Sequence, residues 1–312
     1  MGNSTYSDQE LLLAVLQSDE ELAEQGLPLR QREWEIIPLA RERLGLGKAL
    51  GRSILARKDL LDKKLGAILR EIYGAPAFIG AFGLGVVAFR GVGYLVRPPL
   101  IFGTVRIDPF KHTDLTHLQV QIIHSNHDLY ESCIFQIGDA FDCMSGIGNF
   151  LTLHSSSKNT HFNQAYQLAT EARRNFVAAC TLASTGLDAR ECVLSAFLAI
   201  ELSVKAVLAS NGWDEKKLVK LSHKPDDFLI ALKSELEMLD WPRVESVLTS
   251  APNFVNVRYG KEALDERQSL DFVISTQYVV AELMRPHCSS QLLQSLGDEF
   301  SRKFPLARSK ED

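Results

Sequence analysis

The 312-residue sequence has only five cysteines, and no two of them form a C-x-x-C pair. An odd number of scattered cysteines argues against a disulfide framework and is typical of reduced, buried thiols. The first ten positions are mostly polar, so they lack the apolar stretch of a secretory signal peptide. We therefore expect a cytoplasmic protein. The cysteines are Cys133, Cys143, Cys180, Cys192 and Cys288.

An apolar run of membrane-spanning length is also missing around residues 75–89, the run APAFIGAFGLGVVAF that ends at Arg90. It is shorter than the roughly 20 residues that a transmembrane helix needs, and its glycines weaken a helix. We predict no membrane partner and assign residues 75–112 to a small Gly-rich β region. Its predicted strands are Val86–Phe89, Tyr94–Val96 and Leu100–Ile107.

A nucleotide-binding glycine loop is not indicated either. Gly83-Leu84-Gly85 lacks the G-x-G-x-x-G spacing, and no P-loop lysine follows it. A Gly-rich strand or hairpin is the interpretation that we prefer for this segment.

Charge of one sign is absent from a long stretch of the chain. Residues 113–150 contain five acids and no Lys or Arg, whereas residues 30–70 contain eleven Lys or Arg and five acids. The whole chain has a formal charge of -5, which argues against a protein that generally coats nucleic acid. Two interpretations remain: a basic face for an anionic partner, or neutralisation of one stretch by the other in the fold.

Residues 1–74 have helical apolar spacing. We predict a first helix that begins after Ser7, a second that begins near Arg30 and breaks at Pro38, and a third over Leu50–Tyr73. The third has basic residues around its apolar side, which is typical either of phosphate or membrane-surface binding or of an ordinary solvated helix face.

Residues 113–155 are predicted to form one long helix and a linker. The polar residues of its outer side include three weak candidates for metal ligands, His124, His127 and Asp128. The His-Asp pair is similar to that of HD-type phosphohydrolases, but the upstream His and downstream Asp that such enzymes need are too near in sequence. We therefore predict a polar helix face, joined by Glu131 and Asp142, and no bound metal or other cofactor.

The polar run at residues 155–160 predicts a domain boundary. Beyond it we assign residues 160–288 to an all-helical bundle and residues 289–312 to a charged tail. The central helix follows Asp188, with Glu191 three residues later as in a capping box, and ends at Asn211-Gly212. The predicted helices are Phe162–Ala183, Asp188–Asn211, Pro225 to about Asp240, Arg243–Ser250 and Ala263–Met284.

Three segments of this bundle carry a family resemblance. They are Glu201–Leu208 (ELSVKAVL) before Asn211-Gly212, Ser222–Asp227 (SHKPDD), and Asn256–Tyr259 (NVRY). Together they resemble the HEPN domain, the higher-eukaryote and prokaryote nucleotide-binding helical fold. The resemblance covers about 125 residues of the 312 and none of the first half. It implies an antiparallel helical bundle that forms a homodimer.

The resemblance also implies a function, with one departure. HEPN ribonucleases carry an Arg followed four to six residues later by a His, and these groups meet across the two-fold interface. Here Arg258 is followed by no His as far as Asp265, so the usual proton carrier is missing. Whether the chain is an enzyme is therefore left open, and Lys261 or Glu262 are weak substitutes.

The predicted fold class is mainly α, with a C-terminal HEPN-like bundle and an N-terminal helical region with a small β insertion. The leading function is non-catalytic binding of a nucleotide or RNA phosphate, and the resemblance implies a role in stress or phage defence. Alternatives are a ribonuclease with a diverged site, a metal-dependent phosphohydrolase, and a structural oligomerisation module. The candidate ligand-binding residues are Arg258, Tyr259, His223, Lys205 and Glu201.

Several of these residues also have simpler explanations. Arg258 is also expected to pair with Glu201, Asp226 or Asp227 if it has only a structural role. His223 also suits the closing of a turn before a helix, and Tyr259 also suits a core position.

Overall fold

The fold is mainly α, as predicted, in a computed structural model of the chain. The structure describes residues 6–27, 29–46, 60–73, 83–99, 107–155, 160–186, 188–221, 223–236 and 240–287. These residues form twelve α-helices and one two-stranded sheet. The chain divides into two compact units, Met1–Ala81 and Phe82–Asp312.

Three helices form the first unit: α1 (Asp8–Glu24), α2 (Leu29–Arg43) and α3 (Leu60–Tyr73). Helix α1 begins with a capping box, in which the Ser7 hydroxyl accepts from the Glu10 backbone and the Glu10 side chain accepts from the Ser7 backbone. The prediction of a break at Pro38 is wrong, because α2 continues through this residue to Arg43. Apolar side chains from all three helices are buried together, among them Leu11, Val15, Ile36, Leu65 and Leu69.

A β-hairpin opens the second unit. Strands β1 (Gly85–Phe89) and β2 (Val92–Val96) pair antiparallel and are one or two residues longer than predicted. Their two-residue turn has positive φ at both Arg90 (52°) and Gly91 (80°). This is the turn geometry that matches the twist of paired strands. The predicted strand Leu100–Ile107 lies almost wholly outside the described residues.

The hairpin packs directly on a helix through a residue without a side chain. A Cβ added to Gly85 would lie 2.3 Å from Ala140 Cβ and 2.8 Å from Gln277 Oε1. Because no Cβ atoms approach so closely, a glycine is required for β1 to lie on this helix. The Gly-rich character of the segment therefore reflects close packing of a strand, which agrees with the preferred interpretation of Gly83-Leu84-Gly85.

The remaining helices form a bundle around the hairpin. Helices α6 and α7 make an extensive hairpin, and both pack on α5 or α12, which also contact each other. The bounds are α4 (His117–His124), α5 (His127–His154), α6 (Thr160–Thr185), α7 (Ala189–Ser210), α8 (Glu215–Lys220), α9 (Pro225–Glu235), α10 (Trp241–Thr249), α11 (Phe254–Arg258) and α12 (Glu266–Met284).

The predicted single helix over residues 113–150 is wrong. A 3-10 turn (Pro109–His112) comes first, and then α4 and α5 are separated at Ser125-Asn126. The break has a local cause, because the Asn126 side chain accepts a hydrogen bond of 3.0 Å from the Leu129 backbone and so begins a new helix. The predicted boundary at residues 155–160 falls inside the second unit, since α5 packs on α6 and α12.

The central helix of the bundle is α7, as predicted. The Asp188 side chain accepts from the Glu191 backbone, and Gly212, with φ at 91°, follows the end of the helix in a left-handed conformation. By length and composition α7 is long and apolar enough to cross a membrane, but 78% of its most apolar window is buried inside the unit. It is the one such helix among the residues that the structure describes.

The four cysteines among the described residues are free and buried, as predicted. They are Cys133, Cys143, Cys180 and Cys192. Burial raises the pKa of Cys133 and Cys192 to about 12 and raises the pKa of Cys180 well above its ordinary value, so these thiols stay protonated and unreactive. Cys288, residues 50–59 of the predicted third helix and the tail 289–312 lie outside the described residues.

Candidate functional site

The candidate site is centred on Glu201, a carboxylate buried in the middle of α7. Only 3% of the residue is exposed. One carboxylate oxygen accepts a hydrogen bond of 2.6 Å from Lys205 Nζ, one helical turn further along α7. The other oxygen lies 2.6 Å from His223 Nδ1. Three of the five candidate residues predicted from sequence are therefore in direct contact.

Lys205 is a largely buried residue of the site. Its side chain is only 15% exposed, and its ammonium group is engaged by Glu201 at the favoured i,i+4 spacing. A buried carboxylate is costly unless it is paired and hydrogen-bonded, and Lys205 meets that need. The contact therefore positions the Glu201 carboxylate, which in turn holds His223.

His223 presents an imidazole whose orientation is fixed on one side and open on the other. An ionised carboxylate only accepts hydrogen bonds, so Nδ1 carries the proton towards Glu201. In the neutral ring Nε2 then carries the lone pair. The side chain is 58% exposed, and Nε2 has no hydrogen-bond partner within the described residues. His223 precedes Lys224, the N-cap residue of α9, so the chain enters that helix beside the imidazole.

The imidazole of His223 packs against one ring of an aromatic cluster. The ring of Phe254, in α11, stacks on His223 with centroids 5.6 Å apart and an interplanar angle of 26°. Phe254 also packs on Phe197 of α7 at 4.9 Å, and Phe197 packs on Phe228 of α9 at 6.2 Å. These contacts join α7, α9 and α11 under the site, so the position of His223 is fixed by three helices.

Arg258 ends α11, one turn after Phe254. Both residues belong to the same short helix, in which Phe254 is buried and Arg258 is exposed. Arg258 is exposed and forms no ion pair with another described residue, Glu201, Asp226 and Asp227 included. The structural explanation of Arg258 as a partner of these acids is therefore not supported.

Tyr259 is not a core residue. It is 68% exposed, and Val255, on the same face one turn earlier, is 50% exposed. The end of α11 is nevertheless well fixed. The Asn253 side chain caps its start, and the Lys261 backbone donates 2.8 Å to Asn256 O around Gly260, whose φ is 69°. Tyr259 is thus an exposed aromatic residue that follows Arg258 directly in the chain.

Two features of the site were missed from the sequence. Helix α11 was treated as a connection, and Phe254 was not recognised as the support of His223. Asn253, a good N-cap residue, and Gly260, a good terminating residue, are a signal for a short helix between them. The stacking of Phe254 on His223 had no signal, because it depends on where α9 begins relative to α11.

The metal candidates are not brought together. His124 ends α4, where it packs between Phe110 and Tyr130 with both centroid distances at 5.1 Å. His127 and Asp128 lie in the first turn of the next helix, α5. No group of three His, Cys, Asp or Glu side chains that could hold a metal ion occurs among the described residues.

A second charged cluster lies inside the bundle and was predicted wrongly as part of a polar face. Arg285 Nη1 lies 2.7 Å from Glu282, and Nη2 lies 3.4 Å from Asp142 and 3.7 Å from Asp139. Asp142 is only 1% exposed, and Glu131, also predicted to face solvent, is 5% exposed. These residues have helical spacing, but local spacing does not show that α12 covers this side of α5.

A separate cleft of about 230 Å³ lies at the tip of the hairpin, where α6 ends and α7 and α12 begin. Its lining includes Gly93, Thr185, Cys192, Glu266 and Ser269, and none of the five candidate residues.

Comparison with known proteins identified no relative. No family model matches the chain, and no curated protein or solved structure matches it significantly. The HEPN resemblance therefore depends on the segments Glu201–Leu208, Ser222–Asp227 and Asn256–Tyr259 alone.

Proposed function

We propose that the surface formed by His223, Arg258 and Tyr259 binds a phosphate group of a nucleotide or RNA. The observation that carries this proposal is the exposed guanidinium of Arg258, which has no ion-pair partner in the described part of the chain. It lies one turn from the residue that stacks on a carboxylate-held imidazole. A charged group in this setting is available for a ligand rather than for the fold.

Each of the three side chains suits one part of such a ligand. The guanidinium of Arg258 offers a planar set of donors that matches two phosphate oxygens. Tyr259 offers a solvent-exposed ring on which a base can stack. His223 adds an exposed imidazole that can make a further polar contact. Lys205 and Glu201 take part by holding His223, since both are largely buried.

The HEPN resemblance supports this proposal, because it concerns the same three segments of the bundle. It also extends the proposal to a cytoplasmic role in stress or phage defence. The exposure and charge of Arg258 support phosphate binding independently of the family.

Fluorescence anisotropy with a labelled single-stranded RNA of about ten nucleotides, a typical length for such sites, tests the proposal. Melting-temperature shifts with mononucleotides form a second arm, since a ligand that binds only the folded state stabilises it. The Arg258→Ala variant should weaken binding strongly. Arg174→Ala removes the same charge from an exposed ion pair on α6 and should have little effect. Equal losses of RNA affinity in the two variants would show that binding depends on the overall charge of the protein and not on the position of Arg258.

A second candidate function is assembly, on a different observation. Leu194, Leu198 and Leu202 follow one another at four-residue spacing on α7 and are each only partly buried. We propose that a second copy of the chain covers this stripe in a homodimer. Analytical ultracentrifugation should then show a dimer that Leu202→Gln weakens. A protein with this role alone would dimerise and show no melting shift with any nucleotide.

A further inference from the structure

We infer that the cleft at the tip of the hairpin is a second binding site, which takes a small organic cation with an ammonium group and a short apolar body. The described residues that line this cleft include neither Arg258, Tyr259 nor His223, so the site is distinct from the proposed phosphate surface. Its volume of about 230 Å³ is below the roughly 300–1,000 Å³ of clefts for drug-sized ligands, so it suits a small molecule.

One wall of the cleft is formed by elements of the bundle that pack directly on each other. A Cβ added to Gly93 of β2 would lie 2.7 Å from the carbonyl oxygen of Ala183 on α6 and 3.0 Å from a methyl carbon of Leu270 on α12. Three elements therefore meet at this glycine without a side chain between them. Leu270 is only 3% exposed, so this wall belongs to the packed core and is already formed before a ligand binds.

Glu266 gives the cleft its charge. It is the only charged residue among the described residues of the lining, which include no Lys, Arg or His. Its Oε2 lies 3.7 Å from the position that a Cβ would take at Gly186, another residue of the lining. The carboxylate forms no hydrogen bond or ion pair with another described residue. A positively charged ligand can therefore pair with Glu266 without displacing an existing contact.

The hydroxyl groups of the lining have already used their protons. Ser184, Thr185 and Ser269 each donate to a backbone carbonyl three or four residues earlier in the chain, at 2.8, 3.0 and 2.8 Å. A hydroxyl has one proton to donate and two lone pairs that accept. These side chains can therefore offer a ligand only lone pairs. An ammonium group, which has three N–H donors and no acceptor, matches such a set.

The helix ends at the cleft also favour a cation over an anion. The C-terminus of a helix is its negative end, and the last turn of α6 contains no basic residue that would neutralise it. The N-termini of α7 and α12 are positive ends, but each already has two acids of its own. These are Asp188 and Glu191 on α7, and Asp265 and Glu266 on α12. The cleft is therefore a poor site for a phosphate group.

The apolar residues of the lining indicate the rest of the ligand. Val92, at the tip of the hairpin, is 52% exposed. Leu182 and Ala189 are partly exposed. Covering such surface is favourable, so an ammonium group that carries a short alkyl or aromatic body fits better than an inorganic cation.

Three probes that share one body and differ in charge test the inference: phenethylamine, 2-phenylethanol and 3-phenylpropionate. Each is titrated into the full chain, and binding is followed in ¹H–¹⁵N NMR spectra at low ionic strength, because salt screens an exposed carboxylate. Phenethylamine should bind at millimolar concentration and shift the backbone signals of Thr185, Gly186 and Ser269. The alcohol should bind about tenfold more weakly or worse, as expected when a charge-assisted hydrogen bond is lost, and the anion should not bind.

A charge-removing variant with a matched control tests the role of Glu266. Glu266→Gln keeps the shape of the side chain and should lower the affinity for phenethylamine about tenfold or more. Glu215→Gln makes the same change at the first residue of α8, directly after its N-cap Asp214, just as Glu266 directly follows the N-cap Asp265. Glu215 does not line the cleft, so this control should bind as the wild type does.

A second variant tests the position of the ligand. Ala189→Leu places a larger side chain in the cleft and should abolish binding of phenethylamine while the melting temperature stays close to that of the wild type. Because Glu266 is exposed, Glu266→Gln keeps the inference testable even if Ala189→Leu fails to fold.

The contrary outcomes are specific. No binding of phenethylamine at millimolar concentration, equal binding of the three probes, or equal losses in Glu266→Gln and Glu215→Gln would each overturn the ammonium site. Signal shifts confined to residues away from the cleft would also overturn it. Arg258→Ala should leave phenethylamine binding unchanged, so a failure of this site and a failure of the proposed phosphate surface are distinguishable.

Discussion

The side chain of Gln277 pairs with both backbone polar groups of Val86. Its Oε1 accepts from the Val86 N–H at 2.9 Å, and its Nε2 donates to the Val86 carbonyl at 3.2 Å. The same Nε2 lies 2.6 Å from the carbonyl of Gln136 on α5. Gln136 in turn accepts from the Ala88 N–H at 2.7 Å. The side chains of Gln277 and Gln136 thus bind the backbone groups of β1 that a neighbouring strand would otherwise bind.

Gln277→Leu is therefore expected to be strongly destabilising. It leaves three buried backbone groups without this partner, and an unsatisfied buried group costs about 1–3 kcal/mol. We expect the free energy of unfolding of the second unit to fall by roughly 3 kcal/mol or more on that basis. Urea denaturation followed by circular dichroism measures the loss.

Gln167→Leu is the control for this change. It makes the same replacement at an exposed position of α6, where surface substitutions are usually within about 0.5 kcal/mol of neutral. A loss in Gln277→Leu no larger than in the control would show that the hairpin does not depend on these hydrogen bonds.

Stability should also decrease in mild acid because of His287. Burial, and secondarily the nearby His154, lower the pKa of His287 below its ordinary value of 6.5. The folded state therefore binds this proton less readily than the unfolded state does. The contribution of His287 is fully present above pH 6.5 and is lost as the pH falls from there through the lower pKa of the folded state.

The packing of His287 shows which substitution tests this prediction. Its ring lies edge-on to Phe150 at 4.8 Å, and Phe150 stacks on His154 at 4.3 Å. A phenylalanine at position 287 keeps an aromatic ring and removes the titration. Melting temperatures between about pH 5 and 8, the range in which histidine charge changes, should fall less steeply in acid for His287→Phe than for the wild type. Identical slopes would assign the acid loss to other groups.

The helical class and most helix positions follow from local sequence, since the periodicity of residues such as Ala165, Ala169, Ala172 and Phe176 directly marks the buried side of α6. Local signals also located the ends of α7, because Asp188 and Gly212 act within one turn of the helix. The break before α5 was missed because its cause, a single Asn126 cap, lies inside an otherwise continuous apolar pattern.

The residues of the candidate site were predicted from the sequence, but their contacts with one another were not. Glu201 and Lys205 are adjacent on any helix, so their pairing follows from sequence. The approach of His223 depends on the path of α8 and α9 across α7, which no local pattern encodes. For the same reason Tyr259 suited either a core or a surface position, and only the position of α11 made it a surface residue.

Lys205 offers a test of the buried charge pair beneath the site. Lys205→Met leaves Glu201 buried with His223 as its remaining partner, and breaking such a pair typically costs about 3–5 kcal/mol. We expect a large loss of stability in this variant. The double variant with Glu201→Leu should recover much of that loss, because replacing both charges removes the uncompensated carboxylate. Urea unfolding of the two single variants and the double variant gives the coupling energy, and strict additivity would contradict the pairing.

The contributions of Tyr259 and Arg258 to RNA binding should differ in their dependence on salt. Arg258 is expected to contact a phosphate, so Arg258→Ala should reduce the slope of log affinity against log salt by about 0.7, the value for one phosphate on a single strand. Tyr259 is expected to stack on a base, so Tyr259→Ala should cost about 1–3 kcal/mol at every salt concentration without changing the slope. Tyr259→Phe keeps the ring and should bind almost as the wild type does. Anisotropy titrations at several salt concentrations give both quantities. A slope that changes with Tyr259→Ala, or one that Arg258→Ala leaves unchanged, would contradict the roles assigned to these two neighbouring side chains.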